Sequence, residues 1–197
     1  MSDADLTETR LDQVELFKGH FLHAFCDRVQ LPDGQTTTRE YLVHPGAAMI
    51  IALTDDGQVV LERQFRYPVG QVMIEFPAGK LDPGESSWAC ARRELLEETG
   101  FRAREWARAA VIHPVISYST EFIEIWFARG LVRGAARLDE GEFLEVFTAS
   151  ADQLMTWCAT GQVSDAKTLS GALWLQNVLA GRWSLAWQDD PDTVLPG

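Results

Sequence analysis

Three carboxylates crowd into five positions of this chain: Glu94, Glu97 and Glu98. They fall in a stretch whose apolar residues Trp88, Ala89, Ala91, Leu95 and Leu96 recur at helical spacing. Positions three and four apart on a helix are neighbours, with Cβ atoms on the order of 5–6 Å apart, so the three side chains share one side. Like charges at that spacing weaken a helix. Two or three Mg²⁺ or Mn²⁺ ions held by carboxylate oxygens would offset the repulsion. An acidic helix face can also be solvated and idle, and the loop in front argues against that reading here. Gly79 follows Pro77-Ala78 at a strand end and permits close approach of backbone to a ligand. Asp82-Pro83-Gly84 turns the chain into the helix. Arg93 stands where it can lock Glu97 or Glu85 by charge-assisted hydrogen bonds.

Other elements must position this cluster. The spacing predicts a helix over 86–99, ended by Gly100. Ala47 to Leu53 predicts a buried strand, Asp55-Asp56-Gly57 a hairpin turn, and Gln58 to Arg66 the return strand. Residues 72–76 are extended up to Pro77. Strand-like runs follow at 107–115, 122–128 and 143–148, then a helix over 151–160 closed by Gly161. Ser164 or Asp165 caps a last helix to about Ala180. Residues 12–43 read as antiparallel strands, 1–10 as a loose tail, and the segment after Gly181 as frayed. The fold class is α+β, an α/β/α sandwich with a mixed sheet.

Composition bounds the function. The 197 residues carry 17 Lys+Arg against 29 Asp+Glu, a formal charge of −12, which opposes binding to DNA or RNA. A nucleotide substrate remains compatible when a divalent cation lies between protein and phosphate. Cys26, Cys90 and Cys158 are odd in number and unpaired by motif, which suits a reducing cytoplasm and reads as small packed side chains. No signal peptide and no run long enough for a membrane span is expected. His23, His44 and His113 are isolated and read as structural, and most of the seven Trp as core or dimer-interface residues.

The segment Gly79-x5-Glu85-x7-Arg93-Glu94-Leu95-x-Glu97-Glu98-x-Gly100-Phe101 resembles the Nudix box, with each defined position filled. Seven fixed residues at roughly 7% each give ~10⁻⁸ per window, so chance is a poor explanation. The resemblance implies a Nudix-type α/β/α sandwich and hydrolysis of a nucleoside diphosphate linked to another group. It implies Glu94 and Glu98 as the main metal ligands, Glu97 as a further ligand, and the carbonyl of Ala78 completing the site. Gly79, Glu85 and Arg93 would support and orient the helix.

Outside the box, Arg63-Gln64-Phe65-Arg66-Tyr67-Pro68-Val69 and Glu75-Phe76-Pro77-Ala78-Gly79 look like the ADP-ribose pyrophosphatase and nucleotide-sugar diphosphatase branch. His44-Pro45-Gly46-Ala47-Ala48 looks like its strand opening. By this resemblance Arg66 and Glu75 belong to substrate binding, and Phe21 or His20 would cover the adenine face. Ser119 and Glu121 fit a downstream Ser-x-Glu, while the glycines that usually precede it are missing. GDP-mannose or another nucleotide sugar is therefore the alternative substrate. A silent nucleotide-binding module is disfavoured because every box glutamate is kept.

In the same branch a carboxylate from an acidic loop after the box acts as general base. Glu140 matches it by position, Glu142 would assist or reach a metal, and Glu97 is the next candidate. The resemblance also implies a homodimer, with residues 1–43 as an N-terminal strand extension serving dimerisation and part of the substrate cleft, and residues 44–197 as the Nudix hydrolase domain.

Overall fold

The apolar run beginning at Ala47 forms strand β4 (Ala47–Ala52), with each residue buried. Such a run, without alternation, belongs to a strand covered on both faces. Its odd and even residues feed two different cores. Met49 and Ile51 pack with Leu61, Phe76, Ile125, Leu154 and Leu175. Ala48 and Ile50 pack with Val60, Cys90, Leu95, Trp106 and Trp126. The computed structural model that shows this describes residues 2–134 and 143–193. The chain forms two compact units. One runs from the N-terminus to Gly46 and includes His113–Phe122; the other comprises Ala47–Ile112 and the chain from Ile123 onward.

The first unit is built on β1 (Thr9–Lys18), β2 (His23–Gln30) and β3 (Thr36–Leu42), an antiparallel meander. The supposed loose tail is shorter than expected. Residues Asp3–Asp5 form a 3-10 turn, and β1 already starts at Thr9, paired with Gln30. Arg39 grips Glu8 through Nε at 3.0 Å and fixes the strand's approach. Leu42 then bridges Ser119 in parallel, tying the segment 113–122 to this unit.

The second unit holds the remaining elements: β5 (Val59–Arg66), β6 (Gln71–Glu75), β7 (Ala78–Lys80), α1 (Ser87–Thr99), β8 (Phe101–Ile112), β9 (Ile123–Arg133), β10 (Leu144–Ala149), α2 (Ala151–Thr160), α3 (Ala166–Leu179) and β11 (Gln188–Asp189). Five strands lie in the order β11-β8-β9-β4-β7, and three in the order β10-β5-β6. The first sheet is mixed, because β4 runs parallel to β9 and antiparallel to β7. Helix α1 contributes Cys90, Ala91 and Leu95 to one core, while α2 and α3 contribute Leu154, Ala172 and Leu175 to the other. This is the α/β/α sandwich of mixed strands that the sequence predicts.

Three further expectations need correction. The turn at Asp55-Asp56-Gly57 forms, with the Thr54 N–H on the Gln58 carbonyl at 2.9 Å, but the strands beyond it share a single bridge. After the Leu53–Val59 bridge, β4 joins the five-stranded sheet and β5 the three-stranded one. Strand β8 begins at Phe101, directly after the helix stop, rather than at Ala107. The segment after Gly181 is not simply frayed: Gln188 and Asp189 pair with β8, and the buried Asp190 takes Arg92 Nε at 2.8 Å.

Candidate functional site

Helix α1 is fixed at both ends. Ser86 Oγ accepts from the Ala89 backbone N–H at 3.2 Å, and Gly100 stands at φ 71°, left-handed and suited to glycine. Leu95, fully buried, seats the helix against β4 and β8. Glu94 and Glu98 lie on the flank of the helix that meets β7. Glu98 is nearly buried at 4% exposure, and its Oε2 accepts the Ala78 backbone N–H at 3.1 Å. Glu94 lies against Gly79, where a Cβ would meet its Oε1 at 1.7 Å. The glycine is therefore required by close approach, with no unusual dihedral involved.

Arg93 gathers the cluster. Its Nε and Nη2 fork onto Glu85 at 3.0 and 2.8 Å. Its Nη1 donates to Glu94 Oε1 at 2.7 Å and Glu97 Oε2 at 3.0 Å, and Nη2 also reaches the Lys80 carbonyl at 3.1 Å. Hydrogen bonds from Arg93 hold the Glu85 carboxyl below the usual carboxylate range, despite the opposing effect of burial. Those same bonds raise the Arg93 pKa. Sequence reasoning foresaw Glu85 or Glu97 as the partner; the guanidinium serves both and Glu94 as well. Among the described residues, no three His, Cys, Asp or Glu side chains converge to hold a metal ion in this arrangement, with Arg93 bonding Glu94 and Glu97. The donor set itself, carboxylates backed by a backbone pressed close at Gly79, is the hard-oxygen chemistry that Mg²⁺ and Mn²⁺ prefer. Burial pushes the Cys90 thiol up to about 12, which leaves no thiolate nucleophile beside the cluster.

In the three-stranded sheet, Arg66 ends β5 and Glu75 ends β6. Arg66 donates from Nε to Glu75 Oε1 at 2.7 Å and from Nη2 to Oε2 at 2.9 Å. Burial works to raise the Glu75 pKa, but the Arg66 hydrogen bonds and the Lys167 charge bring it below its ordinary value. Lys167 of α3 also bonds Glu75 Oε2. Glu62, fully buried on β5, stands directly across from Glu75 in the strand register. Lys167 and Glu62 escaped the sequence reading. Lys167 lies 92 residues from its partner, and Glu62 heads the polar run Glu62-Arg63-Gln64, where nothing local marks it as buried.

In the N-terminal unit, Phe21, His44, Val115, Tyr118, Ser119 and Glu121 line one cleft. The Phe21 and His44 rings meet edge-on at 5.5 Å, and His44 Nε2 lies 3.8 Å from Glu121 Oε1. Ser119 Oγ accepts the Glu121 backbone N–H at 3.1 Å. The structure thus brings Phe21, Ser119 and Glu121 together, and His20, next to Phe21 in sequence, is exposed. Glu140 and Glu142 lie outside the described residues. Glu97 is described: its side chain is 31% exposed and bonded to Arg93.

A family model for the NUDIX domain matches residues 43–170. The chain belongs to this family. An ADP-ribose pyrophosphatase of Bacillus subtilis (strain 168) is 32% identical over 87% of this chain and 94% of its own length. A methanol dehydrogenase activator of Bacillus methanolicus is 35% identical over 86% of this chain and 92% of its own length. The crystal structure of an ADP compounds hydrolase superposes with a TM-score of 0.80 at 23% identity, covering 89% of this chain and 96% of that one, a likeness of fold. No helix among the described residues is long and apolar enough to cross a membrane.

Proposed function

We propose that this Nudix chain hydrolyses the diphosphate bond of ADP-ribose or a similar nucleoside diphosphate sugar, releasing AMP and a sugar phosphate. The observation that carries the reading is the placing of Glu94 against Gly79, of Glu94 and Glu97 on Arg93, and of Glu98 on the Ala78 backbone N–H. The likeness to the ADP-ribose pyrophosphatase of Bacillus subtilis supports the choice of ADP-ribose.

Glu94 and Glu98 would hold Mg²⁺ or Mn²⁺, two or three ions in all, with Glu97 and the Ala78 carbonyl completing the set. When bound, the metal supplies neutralisation of the diphosphate and activation of water. The protein's own groups do the rest. Arg93 and Glu85 keep α1 in register with the loop before it. Arg66, held by Glu75, offers a guanidinium to an anionic oxygen of the substrate. By the likeness to its branch, Phe21 or His20 is assigned to the base, and Ser119 and Glu121, which line one cleft with Phe21, are assigned polar contacts to substrate. Glu140 receives the proton of the attacking water, with Glu142 assisting; Glu97 is next in line for that role.

We further infer a homodimer built on residues 1–43. Strand β1 is exposed along its whole length and carries Leu11, Val14, Leu16 and Phe17 on a sheet that otherwise ends there. A cytoplasmic setting is supported by the three free thiols, Cys26, Cys90 and Cys158. Substrate choice is tested by release of phosphomonoesters from a panel of nucleotide sugars, with and without Mg²⁺. ADP-ribose should lead the panel. A lead for GDP-mannose would shift the assignment to that sugar, and silence across the panel would remove the enzymatic reading.

A further inference from the structure

Glu75 carries two cations on one buried carboxylate. Its side chain is 3% exposed, whereas that of Arg66 is 40% exposed, so the pair is anchored at the carboxylate and open at the guanidinium. The third member, Lys167, is the second residue of α3, with 12% of its side chain exposed. It bonds Glu75 Oε2, and Asp165 Oδ2 at 2.9 Å. Across the strands Glu75 faces Glu62, which is fully buried. Lys167 adds a second cation to Oε2, the oxygen that takes Arg66 Nη2.

Helix α3 does not need this lysine for its own start. Asp165 Oδ2 caps it by accepting from the Thr168 backbone N–H at 2.9 Å and from Thr168 Oγ1 at 2.7 Å. Thr168 Oγ1 in turn accepts the Phe76 backbone N–H at 3.3 Å, stitching the helix to the end of β6. The cap is thus closed by Thr168, and the ammonium bridges the capping Asp165 to Glu75.

We propose that Lys167 is a positioning residue: through Glu75 it holds the Arg66 guanidinium in the orientation that receives an anionic oxygen of a nucleoside diphosphate sugar. This rests on the reading of Arg66 as a substrate contact given above. A fork held at one end and open at the other presents two parallel donors, which suits a phosphate oxygen pair better than a mobile cation does.

The test uses the full chain with Lys167→Met and Lys167→Arg. The Arg66 Nε–H resonance, assigned by its loss in Arg66→Lys, reports the fork without any substrate or metal. It is expected to be slowly exchanging in the wild type, fast in Lys167→Met and slow again in Lys167→Arg. With ADP-ribose and Mg²⁺, Lys167→Met should raise KM about tenfold with kcat within about threefold, and Lys167→Arg should recover most of the loss. An unchanged Arg66 resonance in a folded Lys167→Met overturns the proposal, as does an unchanged KM. If Lys167→Met does not fold, Lys167→Gln, which removes the charge and keeps a donor, is read by the same resonance. Absence of ADP-ribose turnover in the wild type would sink the proposed reaction instead, and the resonance would still decide the positioning role.

Discussion

Gly79 and Glu94 occupy one space: a Cβ on Gly79 would stand 1.7 Å from Oε1 of Glu94. The carboxylate is the far end of a flexible side chain, so a methyl group there would move Glu94 rather than break the strand. Gly79→Ala should therefore leave stability within about 1 kcal/mol in denaturant unfolding. Turnover should fall by ~10²-fold, the scale of a misplaced catalytic group. Wild-type turnover in a folded Gly79→Ala would show that Glu94 has no fixed place in the reaction.

Glu98 is buried and receives the Ala78 N–H. Glu98→Gln preserves size and an acceptor oxygen and removes one charge. Turnover should drop at least ~10²-fold, and Mn²⁺ affinity, followed by the paramagnetic signal of the free ion, should weaken with it. Undiminished Mn²⁺ binding in the variant would take Glu98 out of the metal set.

The family and the chemistry were legible because they reside in short-range spacing. The Glu94, Glu97 and Glu98 cluster lies within one helix and the Gly100 stop directly after it, where three- and four-residue periodicity is decisive. The β-layer was less legible. Strands β4 and β5 are adjacent in sequence yet part into two sheets, since their partners β9 and β10 arrive much later. The Lys167–Glu75 pair was missed for the same reason, and so was the pairing of Gln188 with Trp106. Long-range pairing leaves no local trace. Arg66 was singled out by resemblance to its branch, but its fork with Glu75 needed the register of β5 on β6.

Acid should weaken the fold partly through Asp165. Burial tends to raise its pKa, but the Lys167 charge and the Thr168 hydrogen bonds win and lower it. A carboxyl with a depressed folded-state pKa stabilises fully above its unfolded value of about 3.9, and that contribution is lost as pH falls through the folded value. Urea unfolding between pH 7 and pH 3 should show Asp165→Asn less stable at pH 7, with a shallower loss below about pH 4. Parallel curves for the two proteins would remove Asp165 from the acid response.

The exposed apolar residues of β1 predict association. Light scattering of the full chain should give twice the 22.0 kDa chain mass. Removing residues 1–43 should abolish the dimer and weaken nucleotide binding together. A fully active monomer of the full chain would contradict the inferred assembly.

The central claim is attack of water on the diphosphate of ADP-ribose at the Glu94–Glu98 site. Phosphorus NMR of ADP-ribose incubated with the wild-type chain and Mg²⁺ measures it directly. The account predicts that the diphosphate signals disappear and two phosphomonoester signals, AMP and the sugar phosphate, grow in equal amounts. It predicts no change when a chelator is present. Intact diphosphate after prolonged incubation with a folded, Mg²⁺-loaded protein, or equal turnover with and without chelator, would contradict it.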